Sequence, residues 1–245
     1  MGLLSHFLYP WGLIVQVLAV VHFIRRRPDT YWIFVILFLG PIGAAIYLFA
    51  EALPDIGLAR HSLKGFSRRK RIGQLQVAIH DNPSTGNYEE LGDIYLEEGK
   101  LQPARDAYDK AIAARANTID PYYGRGLCAI LSGDAAAALS DLERVVAADP
   151  DHDFYRAAGL LAHGYALTGQ KDRADELFRS ATAKSTLSET YLNFASLLIS
   201  EGRYAEAREW IQKVLYKKPT MPGYQRRRER PWFRSAVAML KRLPA

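Results

Sequence analysis

Apolar and polar residues follow two different rhythms along this chain. From Leu3 to Ile24 nearly every residue is apolar, interrupted only by Ser5, His6, Gln16 and His22 and by Pro10 and Gly12. Arg25-Arg26-Arg27-Pro28-Asp29 follows, and a second apolar run extends from Tyr31 to Phe49. Each run has about the 17 to 25 residues that a helix needs to cross a hydrocarbon core, so residues 1–54 predict a two-helix transmembrane hairpin with a tight basic turn. Tyr9, Trp11, Tyr31, Trp32 and Tyr47 fall near the ends of the runs, where amphipathic rings favour an interface. A cleaved signal peptide fits less well, because the arginines follow the first run and no small-residue cleavage site comes after it. Pro41 is expected to kink the second helix and Gly43 to let the first approach it closely.

Beyond residue 65 the apolar positions recur at helical spacing. Gly57 to Gly65 reads as a linker. Phe66 to His80 then reads as a helix with Ile72, Leu75, Val77 and Ile79 on its apolar side and Arg68, Arg69, Lys70 and Arg71 at its start. Downstream, a helix-turn-helix pattern repeats four times. Its turn glycines Gly99, Gly133, Gly169 and Gly202 are 34, 36 and 33 residues apart. Seven residues before each stands Gly92, Gly126, Ala162 or Ala195. Five after stands Ala104, Ala138, Ala174 or Ala207, and nine after stands Tyr108, Leu142, Phe178 or Ile211. Twelve after stands Ala111, Val145, Ala181 or Val214. Small residues let antiparallel helices approach, and large ones fill the space between successive pairs. A fixed period of this length is a repeat architecture whose units must stack to bury their apolar faces. Asp120, Asp134 and Asp153 stand where N-caps belong.

These positions resemble the tetratricopeptide repeat (TPR). Pro150 and Pro219 match its unit-ending proline. Ala116 and Thr186 depart from it, and Tyr88, Tyr122, Ala158 and Tyr191 replace its leading tryptophan. The resemblance implies an all-α chain: the transmembrane hairpin, then a TPR α-solenoid with a C-terminal capping helix. Its segments are residues 55–83, a basic linker and capping half-repeat; residues 84–220, four units at about 85–118, 119–152, 155–187 and 188–220; and residues 221–245, a basic capping helix with Phe233, Val237, Met239 and Leu240 packed on the fourth unit. A second resemblance lies in Tyr31 to Phe49, with Pro41, Gly43 and Tyr47 late in the run. This stretch is similar to the membrane segment at the N-terminus of cardiolipin synthases and other phospholipase D-like proteins, which implies an anchor only. The catalytic His-x-Lys-x-x-x-x-Asp is absent, since His22, His61 and His163 lack a lysine two residues on.

Charge divides the chain. Residues 1–83 carry 9 Lys/Arg against 4 Asp/Glu, residues 84–220 carry 16 against 21, and residues 221–245 carry 7 against 1. An acidic array is thus flanked by basic ends that favour anionic surfaces. Arg68, Arg69, Lys70 and Arg71 follow the second apolar run closely enough to be assigned to lipid headgroups. With Arg60 and Lys64 they outnumber the three arginines of the hairpin turn, which predicts an integral protein of a bacterial inner membrane with its repeats facing the cytoplasm. The single cysteine, Cys128, is expected to be a buried structural thiol.

Converging chemistry is not evident. Phosphate-loop, zinc-protease and nucleophile-elbow motifs are missing. Asp149-Pro150-Asp151-His152-Asp153 falls on an inter-repeat turn, where caps and a helix stop are needed. No enzyme activity, catalytic residue, metal or cofactor is expected. In tetratricopeptide repeats the first helix of each pair lines the concave groove. By that resemblance the exposed partner-binding positions are Glu89, Asp93, Glu97, Asp120, Tyr123, Leu127, Ile130, Arg156, His163, Leu192, Ser196 and Ile199. The basic clamp for a terminal carboxylate is missing, and one end of the groove is acidic. The expectation is a membrane-anchored scaffold or adaptor that binds a protein or peptide segment with basic and apolar residues, with membrane lipids contacting the hairpin and first basic flank. The alternatives are a non-catalytic accessory subunit of a membrane or envelope enzyme, or an RNA-binding repeat protein using its basic flanks. Nucleic acid is the less favoured partner, and the sequence leaves oligomeric state open.

Overall fold

The computed structural model describes residues 3–26, 31–52, 58–114 and 118–244, and all regular structure among them is helical. The turn residues 27–29, Gly57 at the start of the expected linker and Ala116 lie outside the described residues. The chain divides into two compact units, residues 1–73 and 74–245.

The first unit contains α1 (Leu3–Arg26), α2 (Tyr31–Phe38), α3 (Gly40–Tyr47), a π-helical turn (Leu48–Ala52) and the start of α4 (Leu58–Asp81). The second apolar run is therefore not one helix. Gly40 takes φ +55°, which breaks the run, and Pro41 begins α3, where its missing N–H leaves no bond unmade. Helices of 8 residues extend about 12 Å, against a hydrocarbon core of about 30 Å. The first run, although longer, carries Ser5, His6, Gln16 and His22. Among the described residues no helix is long and apolar enough to cross a membrane. This overturns the expected transmembrane hairpin, the inner-membrane location and the sidedness drawn from it. The lipid assignment of Arg68, Arg69, Lys70 and Arg71 loses the neighbouring span on which it rested.

Instead, α1 packs on α2 and α3 through fully buried Ala19, Ile36, Ala44 and Tyr47. Two polar interruptions of the first run are used here: the His22 Nδ1 lies 2.9 Å from the Tyr47 hydroxyl, and the Gln16 side-chain amide donates to the Ile36 carbonyl at 3.4 Å. Half-buried Trp32 meets fully buried Tyr47 edge-on at 5.5 Å. A Cβ on Gly43 would lie 2.0 Å from the Val35 carbonyl oxygen, so the close approach there is to α2 rather than to α1. Helix α4 already begins at Leu58, which places the four basic residues in its middle rather than at its start. Leu75 is buried on it, but Val77 is exposed.

The second unit holds four antiparallel helix pairs: α5 (Thr85–Glu97) with α6 (Leu101–Ala113), α7 (Asp120–Ser132) with α8 (Ala135–Ala148), α9 (His152–Leu167) with α10 (Lys171–Lys184), and α11 (Ser188–Ser200) with α12 (Tyr204–Tyr216). The turns between paired helices share one geometry. At Gly133, φ is +84°, its N–H donates to the Ile130 carbonyl, and the next N–H, of Asp134, donates to the Ala129 carbonyl. This closes the carbonyls left open at a helix end. Gly99, Gly169 and Gly202 repeat it with φ 71°, 82° and 76°. The Asp134 side chain then caps α8 by accepting from the Ala137 N–H, while Ser84 caps α5 by accepting from that of Asn87. Asp120 and Asp153 make no comparable cap contact.

Packing follows the small-large alternation. Ala104, Ala138, Ala174 and Ala207 are fully buried, and so are Leu142, Phe178 and Ile211, with Tyr108 1% exposed. Each of the larger side chains contributes about 1.5–3 kcal/mol by leaving water. Phe178 stacks on Phe194 at 5.2 Å, which in turn meets Trp210 at 5.3 Å, so an aromatic series joins the third unit to the fourth. After α12 come the short α13 (Gly223–Arg228) and α14 (Arg230–Arg242). Phe233 and Ala236 of α14 are buried against α11 and α12, with Met239 and Leu240 beside them, whereas Val237 is exposed. Cys128 is buried and free, and loss of hydration pushes its thiol up to about 11.

Three substitutions test this account. A Cβ at Gly202 meets nothing within 4 Å, so only the positive φ opposes Gly202→Ala. Left-handed backbone costs a residue with a Cβ about 1–2 kcal/mol, and the urea midpoint should fall accordingly. At Gly73, inside α4 and equally open, Ala should be neutral or stabilising by about 0.5–1 kcal/mol. Equal effects at both positions would contradict the turn assignment. A Cβ at Gly124 would lie 2.3 Å from the Tyr108 ring, so Gly124→Ala should destabilise by about 1–3 kcal/mol through overpacking. An unchanged melting temperature would show that Tyr108 does not bridge the first two units.

Candidate functional site

The Tyr108 ring lies where a Cβ on Gly92 would be 2.7 Å away and one on Gly124 2.3 Å away, so two glycines make the slot that seats it. Its hydroxyl emerges from that slot and donates to Asp93 Oδ1 at 2.7 Å. A buried tyrosine needs such a partner, and this bond aims a carboxylate into a cavity of about 410 Å³. The cavity is lined by Glu89, Asp93 and Leu96 from α5, by Tyr108 from α6, by Asp120, Tyr123, Gly124 and Leu127 from α7, and by His152 and Asp153. Four carboxylates thus face a surface with apolar and aromatic patches, and no Lys or Arg is among the lining residues.

The carboxylates repel one another. Loss of hydration, then Asp120 and Asp93, hold the Glu89 carboxyl above its usual range. Asp93 is pushed up first by loss of hydration and then by Asp120, Glu97 and Glu90, against the opposing effect of the Tyr108 hydrogen bond. Both groups would gain from a nearby cation.

The far wall is held by a turn unlike the others. Asp153, Phe154 and Tyr155 have φ of 49°, 57° and 65°, a left-handed stretch at the start of α9. Residues with side chains adopt this conformation at a cost of order 1–3 kcal/mol each, and contacts around it hold it in place. The Tyr123 hydroxyl donates to Asp153 Oδ2 at 2.6 Å, and Arg156 Nε donates to Glu189 at 2.7 Å while its fork approaches Asp153 and Tyr123. His152 packs edge-on against Tyr123 at 4.7 Å, with Nδ1 3.3 Å from Asp149. Among the described residues no three His, Cys, Asp or Glu side chains are grouped to hold a metal. Phe154 is left 82% exposed at this turn.

The expected groove residues are thus partly brought together. Glu89, Asp93, Asp120, Tyr123 and Leu127 share the cavity, although Leu127 is itself buried. Glu97 is exposed but does not line it. Arg156 stands behind Asp153, tied to Glu189. His163 is half-buried, and loss of hydration lowers its pKa. Leu192 is buried in the core, Ile130 and Ile199 pack against that core, and Ser196 is exposed. Leu96, Tyr108, Gly124, His152 and Asp153 line the cavity without having been expected to. The signal for Tyr108 was its hydroxyl, at a register position otherwise filled by Leu, Phe and Ile.

Comparison with known proteins agrees with the repeat fold. Tetratricopeptide repeat profiles match residues 89–153 and 188–220. Both matches leave out the N-terminal segment, so the resemblance to phospholipase D-like anchors gains no support from them. No curated protein sequence matches the chain. Among solved structures, MamA from Desulfovibrio magneticus superposes with a TM-score of 0.58 at 21% identity, covering 68% of this chain and 94% of that one. A thermophilic TPR protein of Thermus thermophilus, TTC0263, gives 0.55 at 19% identity over 76% and 96%. YrrB, a TPR protein with an unusual peptide-binding site, gives 0.54 at 20% identity over 66% and 84%. At such identities the likeness is one of fold. The chain carries tetratricopeptide repeats in an all-helical, solenoid-like fold.

Proposed function

We propose that the protein is an interaction scaffold whose first two repeats hold a partner segment, apolar with a Lys or Arg at one end. The observation that carries this reading is the convergence of Glu89, Asp93, Asp120 and Asp153 on one cavity that contains Leu96, Leu127, His152 and the rings of Tyr108 and Tyr123 but no Lys or Arg. A cation placed there relieves the repulsion that raises Glu89 and Asp93, while a carboxylate would add to it. The peptide-binding site of the similar YrrB lends support to a binding role. The expected segment is extended or helical and bound with modest affinity.

A fluorescent peptide with Arg at one end of an apolar stretch should therefore bind the full chain, measured by anisotropy, and its Arg→Glu counterpart should not. The triple variant Glu89→Lys, Asp93→Lys, Glu97→Lys should weaken binding at least tenfold, as expected for losing charge-assisted contacts of about 1.5–3 kcal/mol, with helicity unchanged. Equal binding of the two peptides would refute the acidic groove. Affinity should also depend on pH in a defined direction. Glu89 and Asp93 are raised above their ordinary values, so the cation meets fully charged partners only above those raised values and loses them as the pH falls. A titration from pH 7 to pH 4 should show weakening that begins above the usual carboxylate range, and a flat profile would contradict this.

A further inference from the structure

Most arginines of the repeats are tied to carboxylates, although Arg144 lies over the Tyr122 ring and Arg208 donates to the Pro244 carbonyl. Arg125 grips Asp141 through two bonds of 2.7 Å and Asp109 through a third, and Arg203 reaches Asp175, Glu201 and Glu206. The C-terminal cap is built otherwise. Arg226, Arg228, Arg230, Arg234, Lys241 and Arg242 are all exposed, and among the described residues none of them has an ion pair. The one acid of residues 221–245 is Glu229, and its Oε2 is buried. In α14, Arg230, Arg234 and Lys241 stand at i, i+4 and i+11 and so share one stripe, opposite the face that buries Phe233 and Ala236. Like charges at i, i+4 destabilise a helix, so capping alone does not account for them. Lys218, also exposed, lies over the Phe233 ring at 5.9 Å and adds its charge beside this helix.

Rings accompany the charges. Tyr224, two residues before Arg226, is 72% exposed, and Tyr216 at the end of α12 is 85% exposed. Planar guanidinium groups suit bidentate contact with phosphate, and exposed rings offer faces on which bases stack without sequence preference. We propose that this cap is a docking surface for single-stranded nucleic acid, separate from the acidic cavity of the first two repeats. Arginine in place of lysine, together with solvent-exposed tyrosines, favours a polyanion that carries bases over an anionic lipid surface or an acidic protein.

The test uses the full chain with fluorescein-labelled 15-mers of oligo(U) RNA and oligo(dT) DNA, read by anisotropy between 50 and 300 mM NaCl. Binding should weaken with salt at a log–log slope of about −3, as expected for about four phosphate contacts on a single strand. Arg226→Gln, Arg230→Gln, Arg234→Gln should lower affinity at least tenfold and make the slope shallower by about 2, with an unchanged circular dichroism melt. Tyr224→Ala should lower affinity about fivefold or more and leave the slope alone. Absence of binding at 50 mM salt, or binding unaffected by the triple variant, would overturn the proposal. So would a cap that sediments with phosphatidylglycerol vesicles but ignores both oligonucleotides, since that result assigns the surface to lipid.

Discussion

The repeat unit depends on a steric match: at its tightest crossings one helix presents a larger side chain where the facing helix presents a glycine. Tyr108 against Gly92 and Gly124 is the tightest case, with both hypothetical Cβ atoms under 3.0 Å from its ring. Gly159 against Thr190 repeats it between the third and fourth units, at 2.5 Å from the hydroxyl. Such contacts set the approach of the helices, and the approach decides which first-helix residues face one another across the concave side. At Tyr108 the link from packing to chemistry is direct, because the same side chain that fills the slot hydrogen-bonds Asp93.

The charge pattern follows a division of labour. Within the array, acidic residues outnumber basic ones, and several arginines act as struts: Arg156 to Glu189 between α9 and α11, and Arg203, just before α12, to Asp175 of α10. Glu89, Asp93 and Asp120 stand outside these struts and gather in the cavity of the first two units. Exposed cations gather at the opposite end of the array, on the face of α14 turned away from the core. One chain thereby offers surfaces of opposite sign, each with its own stereochemistry.

Much of the array was legible in the sequence because its constraints are local and periodic. A glycine with positive φ is needed at every intra-pair turn, and the alanines five residues later are needed for close packing, so both recur visibly. The N-terminal segment shows where such legibility fails. Composition alone made Tyr31 to Phe49 look like one long helix, whereas the break depends on a single torsion at Gly40, with Pro41 able to serve as a first helical residue. The left-handed turn at Asp153 to Tyr155 was hidden for a related reason. Phe154 and Tyr155 disfavour that conformation, Asp153 tolerates it better, and the turn is held by Tyr123 from the preceding unit and by Arg156 just after it. The cavity was half visible: its acids lie on the first helices at predictable positions, but Tyr108, His152 and Asp153 enter it through tertiary placement.

The central claim is that a cationic, apolar segment seats among Glu89, Asp93, Asp120 and Asp153. Carboxyl-resolved NMR of the full chain, titrated in pH with and without an Arg-ended apolar peptide, tests it most directly. The account predicts elevated pKa values for Glu89 and Asp93 in the free protein and a fall in both when the peptide is bound. Unmoved carboxyl titrations in the cavity, with peptide-induced shifts confined to other parts of the array, would contradict it.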